Sequence, residues 1–412
     1  MQKGLNNQII QQNNRSLILG MIIDRGVVTR KEMIELSGLH KPTITNIVNE
    51  MLEMNVIEKC VAPLAENQRK VDGFRVKTRK IKILSARWTR TFFRVSLYTL
   101  RNEVDDSESC KINTEENIHI TVSKILETID RLLERHHTNH ILGMCVGIPG
   151  PYIRGERNIA LVPGYDNLEE IDVQKVFSDR FPFPVITEHD AHLSALAEWK
   201  KLSVEERNNC TCLLALQSIG IGIGAGVILN GKIIEGAIGI AGEIGQMGIL
   251  FSGPKNKKGQ RGVWENYASS VSVKDYLRMR LHEFPNTSLS ETSTYEEILD
   301  AYENHDLLAE WAFDCVAAKM AYGIANVIFT INPGLILIGP EYPQTQNFIN
   351  AIKKYVDNLM DSRISTRVTI RYSNITKDPT LEGGYYFVID HLLHDQVLFD
   401  QIKEIMQSSH AK

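Results

Sequence analysis

Hydrophobic and polar positions recur at helical spacing three times in the first 54 residues. Apolar side chains lie three or four positions apart in 14–24, and a second helix is predicted to begin at Thr29, where Glu32 completes a capping-box pattern. Gly38 then predicts a tight turn, and Pro42 stands where the first turn of a third helix tolerates a missing N–H. This order is typical of a helix-turn-helix.

The third of these helices has a face made of small polar side chains. Short polar groups let a helix approach base edges in the major groove, and an Asn amide can bond adenine through two hydrogen bonds. An ordinary three-helix bundle with a solvated face has the same pattern, so both interpretations stay open at this point. The residues predicted to contact DNA on this helix are Lys41, Thr43, Thr45, Asn46 and Asn49.

After residue 54 the pattern changes to two predicted strands, 55–61 and 74–84, joined by a loop as in a wing. Residues 69–90 hold nine basic side chains and one acidic one, Asp72. Such a run suits phosphate contacts, which provide affinity rather than sequence choice, although a solvated strand face is the alternative. The wing residues assigned to DNA are Arg69, Lys70, Arg75 and Lys77.

Charge is unevenly distributed along the 412 residues, although the net charge is only −4. Residues 1–94 hold 17 basic and 8 acidic side chains, whereas the remainder holds 29 and 42. A basic head on an acidic body favours a polyanion partner for the head, and chance asymmetry between two domains is the alternative. Apolar runs are too short to cross a membrane, no signal-peptide core is visible, and the six cysteines fit no zinc or redox motif. We therefore expect a cytoplasmic protein with reduced thiols and no membrane partner.

From about residue 85 predicted strands alternate with predicted helices, which indicates an α/β class built as two lobes. The strands are predicted at 94–100, 141–148, 185–187, 213–216, 222–230 and 335–338. The helices are predicted at 118–136, 191–200 and 313–332, with a final helix near 381–391.

Five ordered segments of this body carry a family resemblance: GIPGPYIRGE, ITEHDAHLSALAEW, GIGIGAGVILNGKIIEGAIGIAGEIGQ, GQRGVWENYAS and INPGLILIG. They resemble the consecutive motifs of the ROK family of repressors and sugar kinases, and the head is similar to that of ROK repressors, including the xylose-repressor type. The resemblance implies a winged helix-turn-helix at 1–84 and a two-lobed, actin-like domain that binds sugar between its lobes. The first lobe is expected at 85–195 plus about 376–412, and the second at 196–375.

The resemblance also implies a sugar site. Asp190 matches the Asp that removes a proton from the sugar in ROK kinases, and His189 stands where Asn is usual. Glu243 and Glu265 match glutamates that bind sugar hydroxyls, whereas Gln246 replaces a His. The loop that shapes the pocket corresponds to Gly147, Pro149 and Gly150. Carboxylates suit vicinal hydroxyls, so we predict a polyol pocket; solvated or structural remnants of one are the alternative.

The nucleotide and zinc motifs of ROK kinases are altered in this chain. The Asp-x-Gly-Gly-Thr motif that cradles phosphates has Arg87, Thr89 and Arg90 at the Asp and Gly positions, and only Thr91 is kept. A second phosphate loop has become Gly220-Ile221-Gly222, and a Gly-Gly near the adenosine has become Gly339-Pro340. The four zinc-ligand positions hold Gln246, Asn256, Lys258 and Val263. We therefore predict no kinase activity, no catalytic residue, no metal and no cofactor.

The leading hypothesis is a repressor of carbohydrate-utilisation genes, such as those of xylose metabolism. It would bind double-stranded operator DNA as a homodimer or tetramer and be released by a sugar or sugar derivative. Two alternatives stay open: an unusual ROK sugar kinase that keeps Asp190 as its base, and a ligand-independent regulator controlled by a protein partner.

Overall fold

The computed structural model describes residues 7–62, 71–77, 80–136, 140–150, 152–153, 158–159, 168, 170–217, 222–255, 259–375, 378–394 and 398–408. The chain divides into two compact units. Unit 1 comprises Met1–Gly147, Val173–Thr187 and Gly384–Lys412, and unit 2 comprises Ile148–Asp172 and Glu188–Gly383.

The helices of the described chain are α1 (Asn7–Arg25), α2 (Arg30–Ser37), α3 (Lys41–Glu53), α4 (Ile118–His136), α5 (Val173–Arg180), α6 (Asp190–Lys201), α7 (Val204–Asn209), α8 (Glu265–Ala268), α9 (Ser270–Arg280), α10 (Tyr295–Glu303), α11 (Leu307–Ile331), α12 (Gln346–Leu359), α13 (Ser362–Ser365), α14 (Pro379–His394) and α15 (Leu398–Ser408). Short 3₁₀ helices lie at Ile244–Gln246 and Leu281–Glu283.

The strands are β1 (Val28–Thr29), β2 (Ile57–Val61), β3 (Asp72–Val76), β4 (Lys82–Trp88), β5 (Phe92–Thr99), β6 (Val104–Lys111), β7 (Ile141–Ile148), β8 (Tyr152–Ile153), β9 (Asn158–Ile159), β10 (Val185–His189), β11 (Cys212–Gln217), β12 (Gly224–Leu229), β13 (Lys232–Ile233), β14 (Leu335–Ile338) and β15 (Thr369–Tyr372).

The head of unit 1 is a winged helix-turn-helix, as the sequence predicts. The Thr29 hydroxyl accepts from the Glu32 N–H at 3.2 Å, and the Glu32 carboxylate accepts from the Thr29 N–H at 2.8 Å, so the capping box begins α2. Gly38 ends this helix with φ +68°, in the left-handed region that favours glycine. Helix α3 follows with Pro42 in its first turn. The wing is a three-stranded sheet of order β1-β3-β2.

The prediction of one strand over 74–84 is wrong. Strand β3 pairs with β1 and β2 in the wing, whereas β4 pairs with β5 and β7 in another sheet. The sequence pattern merges them because buried apolar side chains continue on both sides of the break, at Phe74 and Val76 and again at Ile81 and Ile83.

Helix α1 packs against the two helices that end unit 1. The Gln12 amide donates to the Asp400 carboxylate at 2.8 Å, and the Arg15 guanidinium lies 5.5 Å from the centre of the Phe399 ring. A Cβ on Gly20 would lie only 2.8 Å from a Leu393 methyl, so glycine lets α1 approach α14 closely. The winged helix-turn-helix head is therefore braced by α14 and α15, a packing that the sequence pattern does not predict.

The larger sheet of unit 1 has the order β10-β7-β4-β5-β6, with β4, β5 and β6 antiparallel and β7 parallel to β4. Every residue of β7 is buried, which explains its continuous apolar run. The sheet of unit 2 has the order β13-β12-β11-β14-β15, in which β11, β14 and β15 are parallel. These sheets with their flanking helices confirm the predicted α/β class.

The sheet of unit 2 buries both faces. Leu214 and Ile336 point into a core shared with α11 and α12, whereas their neighbours Leu213 and Leu335 pack with Trp199 of α6. Alternation along the strands therefore separates two cores. Helix α11 is long and apolar enough to cross a membrane by length and composition, but 61% of that apolar stretch is buried within the protein. Its apolarity is explained by its place in this core.

The two units differ from the predicted domain boundaries. The predicted boundary at residue 195 falls inside α6, whereas all of α6 belongs to unit 2. The reason is its packing on β11 and β12, where Ala195 and Trp199 contact the core beside Ile228. The head and the sheet that follows it both fall in unit 1.

Candidate DNA-binding face and polyol pocket

The predicted recognition helix α3 buries one face and exposes the other. Ile44, Ile47, Val48 and Met51 are buried. Lys41, Asn46 and Asn49 are exposed, and Thr43 and Thr45 are half-buried. This face has the geometry that contact with base edges requires, although its role in DNA binding remains a prediction.

Two side chains of this face make contacts within the head. The Thr45 hydroxyl donates to the Lys41 carbonyl at 2.9 Å. Arg30, at the start of α2, donates to the Asn49 amide oxygen at 3.3 Å, and its guanidinium lies 4.8 Å from the centre of the Phe74 ring in the wing. Arg30 thus joins both helices and the wing. Arg30 was not among the residues predicted to contact DNA, although a cation directly after the Thr29 cap is a visible signal.

The basic wing is partly neutralised by its own carboxylate. Arg75 donates to Glu58 at 2.7 Å, and Arg101 donates to the same oxygen at 3.0 Å. The hydrogen bond from Arg75 is the main reason that the pKa of Glu58 lies below its ordinary value. Lys77 donates to the Asn55 amide oxygen at 2.7 Å. Arg69 and Lys70, also predicted to contact DNA, lie outside the described residues.

In unit 2 the fold brings together four of the residues predicted to bind sugar. His189 Nε2 lies 3.3 Å from Asp190 Oδ1 and 3.6 Å from Glu243 Oε1. A Cβ on Gly150 would lie 2.2 Å from His189 Nε2 and 2.7 Å from Glu243 Oε1, so this backbone lies directly against both side chains. Two carboxylates on either side of one imidazole form a cluster that can bind hydroxyl groups.

Local structure explains why these side chains meet. Strand β10 ends at His189 and α6 begins at Asp190, so both side chains lie at a strand-to-helix junction. Glu243 arrives from a separate loop that turns at Gly242, where φ is +94°. The Ala225 N–H of β12 donates to the Gly242 carbonyl at 2.9 Å and holds that turn against the sheet. Asp190 is 3% exposed and His189 5%, so the cluster is largely shielded from water.

The remaining predicted sugar residues are placed less closely. The Glu265 carboxylate lies near two glycines, because a Cβ on Gly222 or on Gly245 would be 3.3 Å from its Oε2. Gln246 follows Gly245 and ends the 3₁₀ helix that begins after Glu243. Gly147 is instead paired with Arg87 inside a sheet of unit 1, and Pro149 is half-buried in the connection that leads to Gly150. Sugar binding by all eight residues remains a prediction.

His189 is neutral at physiological pH. Burial and then the positive charge of His192 lower its pKa from 6.5 to about 3. These effects dominate although the carboxylates of Asp190 and Glu243 lie near the ring. A neutral imidazole with its proton on Nε2 can donate one hydrogen bond to a carboxylate or to a ligand oxygen.

A family model described as the ROK family matches residues 87–391. The chain belongs to the ROK family. The match spans the sheet of unit 1, the polyol cluster and the sheet of unit 2, and it confirms the resemblance carried by the five sequence motifs.

Known proteins of this family include both regulators and kinases. The chain is 23% identical over 389 residues to the xylose repressor of Bacillus spizizenii. This alignment covers 93% of this chain and 97% of the relative. A solved ROK family transcriptional regulator, a homologue of the Escherichia coli Mlc protein, has a TM-score of 0.78 at 22% identity and covers 96% of this chain and 99% of its own. A ROK glucokinase from Streptomyces griseus, solved with glucose and AMPPNP, has a TM-score of 0.62 at 19% identity. That alignment covers 74% of this chain and 98% of the glucokinase. The predicted winged helix-turn-helix followed by a two-lobed actin-like domain is confirmed.

At the position of the first kinase phosphate motif this ROK chain forms a closed β-hairpin turn. The Thr89 N–H donates to the Phe92 carbonyl at 2.8 Å, and the Phe92 N–H donates to the Thr89 hydroxyl at 3.0 Å. Arg87 lies in β4 opposite Arg94, and its guanidinium is 5.9 Å from the centre of the Phe92 ring. Arg87 and Arg90 stand where the kinase motif has an Asp and a glycine, and an arginine side chain cannot hold Mg²⁺ as a carboxylate does.

The adenosine-side motif is altered as well. A Cβ on Gly339 would lie 2.3 Å from Glu341 Oε2, so an acidic side chain covers the end of β14. Of the second phosphate loop, Gly220 and Ile221 lie outside the described residues.

Among the described residues, no group of three or more His, Cys, Asp or Glu side chains is arranged to hold a metal ion. Of the family's zinc positions, Asn256 and Lys258 lie outside the described residues, and Val263 is a buried apolar side chain.

Proposed function

We propose that this ROK protein is a sugar-responsive, DNA-binding transcriptional regulator that represses carbohydrate-utilisation genes in the cytoplasm. The observation that carries the proposal is that one chain combines a winged helix-turn-helix with an exposed polar face on α3 and a buried polyol-type cluster around Gly150. The similarity to the xylose repressor over nearly the whole of both chains supports the same function.

The DNA contacts are assigned to the exposed face of α3 and to the wing. Asn46 and Asn49 are proposed to contact base edges, while Lys77 contributes to phosphate contacts. Two copies of the chain are proposed to bind the two halves of a pseudo-palindromic operator.

The inducer is proposed to be a sugar, with D-xylose as the first candidate because of the relative's name. It is proposed to bind the hydroxyl-accepting carboxylates of Asp190, Glu243 and Glu265. A ligand releases DNA only when it binds the DNA-free state more tightly than the DNA-bound state, so release measures a difference in affinity between two states.

The chain is not proposed to be an enzyme. The arginines at positions 87 and 90, where the first phosphate motif has an Asp and a glycine, support this assignment, because phosphoryl transfer needs all of its positioning groups together. A coupled assay for ATP turnover with each sugar checks this point, and turnover above a no-sugar blank would contradict it.

The deciding experiment is binding of the full chain to the region upstream of its own gene, titrated with D-xylose, D-glucose, N-acetylglucosamine and their phosphates. We expect DNA binding at low salt and release by one sugar at millimolar concentration. Asn46→Ala is expected to weaken specific binding by about 1–3 kcal/mol. Asn326→Ala is the matched control, because Asn326 is an exposed helical Asn in unit 2.

Each outcome has a distinct meaning. DNA binding that no sugar alters rejects the sugar response and favours control by a protein partner. Absence of DNA binding at low salt rejects the assignment of the head. Equal losses from the Asn46 and Asn326 substitutions would reject the assignment of α3 as the recognition helix.

A further inference from the structure

His192 lies one turn into α6 and is fully buried, with none of its side chain exposed. Its Nδ1 is 2.9 Å from Glu188 Oε1, and its Nε2 is 2.8 Å from the Ala241 carbonyl oxygen. Both partners are acceptors only, since Glu188 is a carboxylate and Ala241 offers a main-chain oxygen. Two simultaneous hydrogen bonds therefore require a proton on each ring nitrogen, which makes His192 an imidazolium.

The surroundings of His192 support this charge. Burial alone would lower its pKa, but the hydrogen bond and negative charge of Glu188, the Ala241 carbonyl and the negative charge of Glu235 together raise the pKa above its ordinary value. The other titratable group facing the ring is His189, at 5.1 Å between ring centres and nearly perpendicular. His189 is neutral, so it adds no opposing charge.

The two partners of His192 come from two different segments of unit 2. Glu188 belongs to β10 and also accepts from the His189 N–H at 2.8 Å. Ala241 belongs to the loop that delivers Glu243, two residues later. The adjoining Gly242 leaves no room for a side chain, because a Cβ there would lie 2.0 Å from the Ala225 carbonyl oxygen. One buried cation therefore joins the strand that carries His189 to the loop that carries Glu243.

We propose that His192 is a positioning residue for the polyol pocket, whose buried imidazolium holds the Glu243 loop at the start of α6. The role in ligand binding rests on the proposed function, whereas the role in holding the loop does not. The second effect of His192 is electrostatic: after burial, which is the larger cause, the charge of His192 further lowers the pKa of the neighbouring His189.

Two variants test the proposal in the full chain. His192→Gln removes the charge and one of the two donors. Glu188→Gln keeps an acceptor oxygen for the His189 N–H and for the ring, but removes the negative charge. His305→Gln is the matched control, because His305 pairs with Glu310 at 3.0 Å on the surface of the same unit.

The first readout is hydrogen exchange of peptides covering 236–246 without any ligand. We expect His192→Gln to speed exchange there at least tenfold, with no change in α3 or in the His305→Gln control. Glu188→Gln is expected to shift the pH at which protection of the loop is lost. Without the negative charge of Glu188 the pKa of His192 falls, because that charge helps to raise it. Protection that is present at low pH should therefore be lost at a lower pH than in the wild type.

The second readout is imidazole ¹⁵N NMR of histidine-labelled protein, with the His192 signals assigned by their loss in His192→Gln. We expect both ring nitrogens of the wild type to be protonated at neutral pH. A neutral ring, or loop protection unchanged in both variants, overturns the proposal. Should His192→Gln fail to fold, with α3 exchange also lost, Glu188→Gln and the wild-type spectrum decide the question.

Titration with D-xylose separates this inference from the proposed function. If the wild type binds D-xylose, His192→Gln is expected to weaken binding at least tenfold, and unchanged binding overturns the positioning role. If the wild type binds none of the tested sugars while the loop still loses protection in His192→Gln, the sugar assignment fails and the structural link stands.

Discussion

At the residue scale, the predicted pocket is distinguished by one imidazole that lies beside two carboxylates. His189 stands where ROK kinases usually have Asn, and its neutral ring lies against Asp190, Glu243 and the backbone of Gly150. A neutral donor lets both carboxylates retain acceptor capacity for hydroxyl groups. Two measurements test this arrangement. One is the pH dependence of the free energy of unfolding, and the other is sugar binding after one methyl group is added at Gly150.

The free energy of unfolding is expected to decrease as the pH is lowered, because His189 is buried in its neutral form. Its folded pKa of about 3 lies below the ordinary value of 6.5, so its contribution is fully present above pH 6.5 and is lost as the pH falls toward 3. At 1.36 kcal/mol per pKa unit, the free energy of unfolding should fall by about 2 kcal/mol between pH 7.5 and 5. Urea unfolding of wild type and His189→Asn across this range checks it. Parallel pH profiles for the two proteins would contradict the assignment.

Gly150→Ala is expected to abolish the sugar response while leaving DNA binding intact. The new methyl group would lie 2.2 Å from His189 Nε2 and 2.7 Å from Glu243 Oε1, so it must displace the two side chains that form the cluster. Gly248→Ala is the control, because a Cβ there meets nothing within 4 Å. We expect at least tenfold weaker sugar binding by calorimetry for Gly150→Ala only. A retained sugar response in Gly150→Ala would place the ligand elsewhere.

At the element scale, the orientation of α3, the proposed recognition helix, depends on the residues that precede it. Thr29 ends β1, caps α2 and pairs with Gly73 of the wing, so one residue links the helices to the sheet. Arg30 continues this link through Asn49 and the Phe74 ring. The capping box is thus part of the geometry that presents α3.

Thr29→Ala is expected to lower the free energy of unfolding by about 1 kcal/mol and also to weaken DNA binding. Ser203→Ala provides the comparison, because Ser203 and Glu206 form the same capping box at α7 in unit 2. Denaturant unfolding and operator binding of both variants separate stability from function. Equal effects of both variants on DNA affinity would show that the cap of α2 has no specific role in presenting α3.

The elements with local signals were predicted well from the sequence. The Thr29–Glu32 box, the Gly38 turn and the buried strand Ile141–Ile148 follow from patterns within a few residues, and the structure confirms them. The strand break after Val76 was missed because apolar side chains continue across it. The role of His192 was missed because it requires the return of a loop 49 residues later in the chain. Such contacts leave no periodic trace in a single sequence.

At the scale of the whole molecule, the head is part of the body rather than an independent attachment. Helix α1 joins α3 through Arg15 and Glu50 at 2.8 Å, and it joins α15 through Gln12 and Asp400 at 2.8 Å. The Phe399 side chain is 2% exposed beneath Arg15. Packing between residues 388 positions apart therefore supports the helix that carries the helix-turn-helix.

Phe399→Ala is expected to loosen α1 and to weaken DNA binding, because a large-to-small change at a buried Phe costs about 3–5 kcal/mol. Phe348→Ala is the matched control, since Phe348 is equally buried but belongs to the core of unit 2. Hydrogen exchange of peptides within 7–25 is expected to rise in Phe399→Ala and to stay unchanged in Phe348→Ala. Equal protection of α1 in the two variants would show that α15 does not brace the head.

Because α14 and α15 pack against α1, the head cannot be fully packed until those two helices have been synthesised. The head is synthesised well before Leu393 and Phe399, the side chains that cover one side of α1. A nascent chain, or a fragment released by a premature stop, therefore carries a head with an uncovered apolar surface. The head is therefore fully packed only after α14 and α15 have been synthesised, so products that lack these helices are good substrates for quality-control proteases.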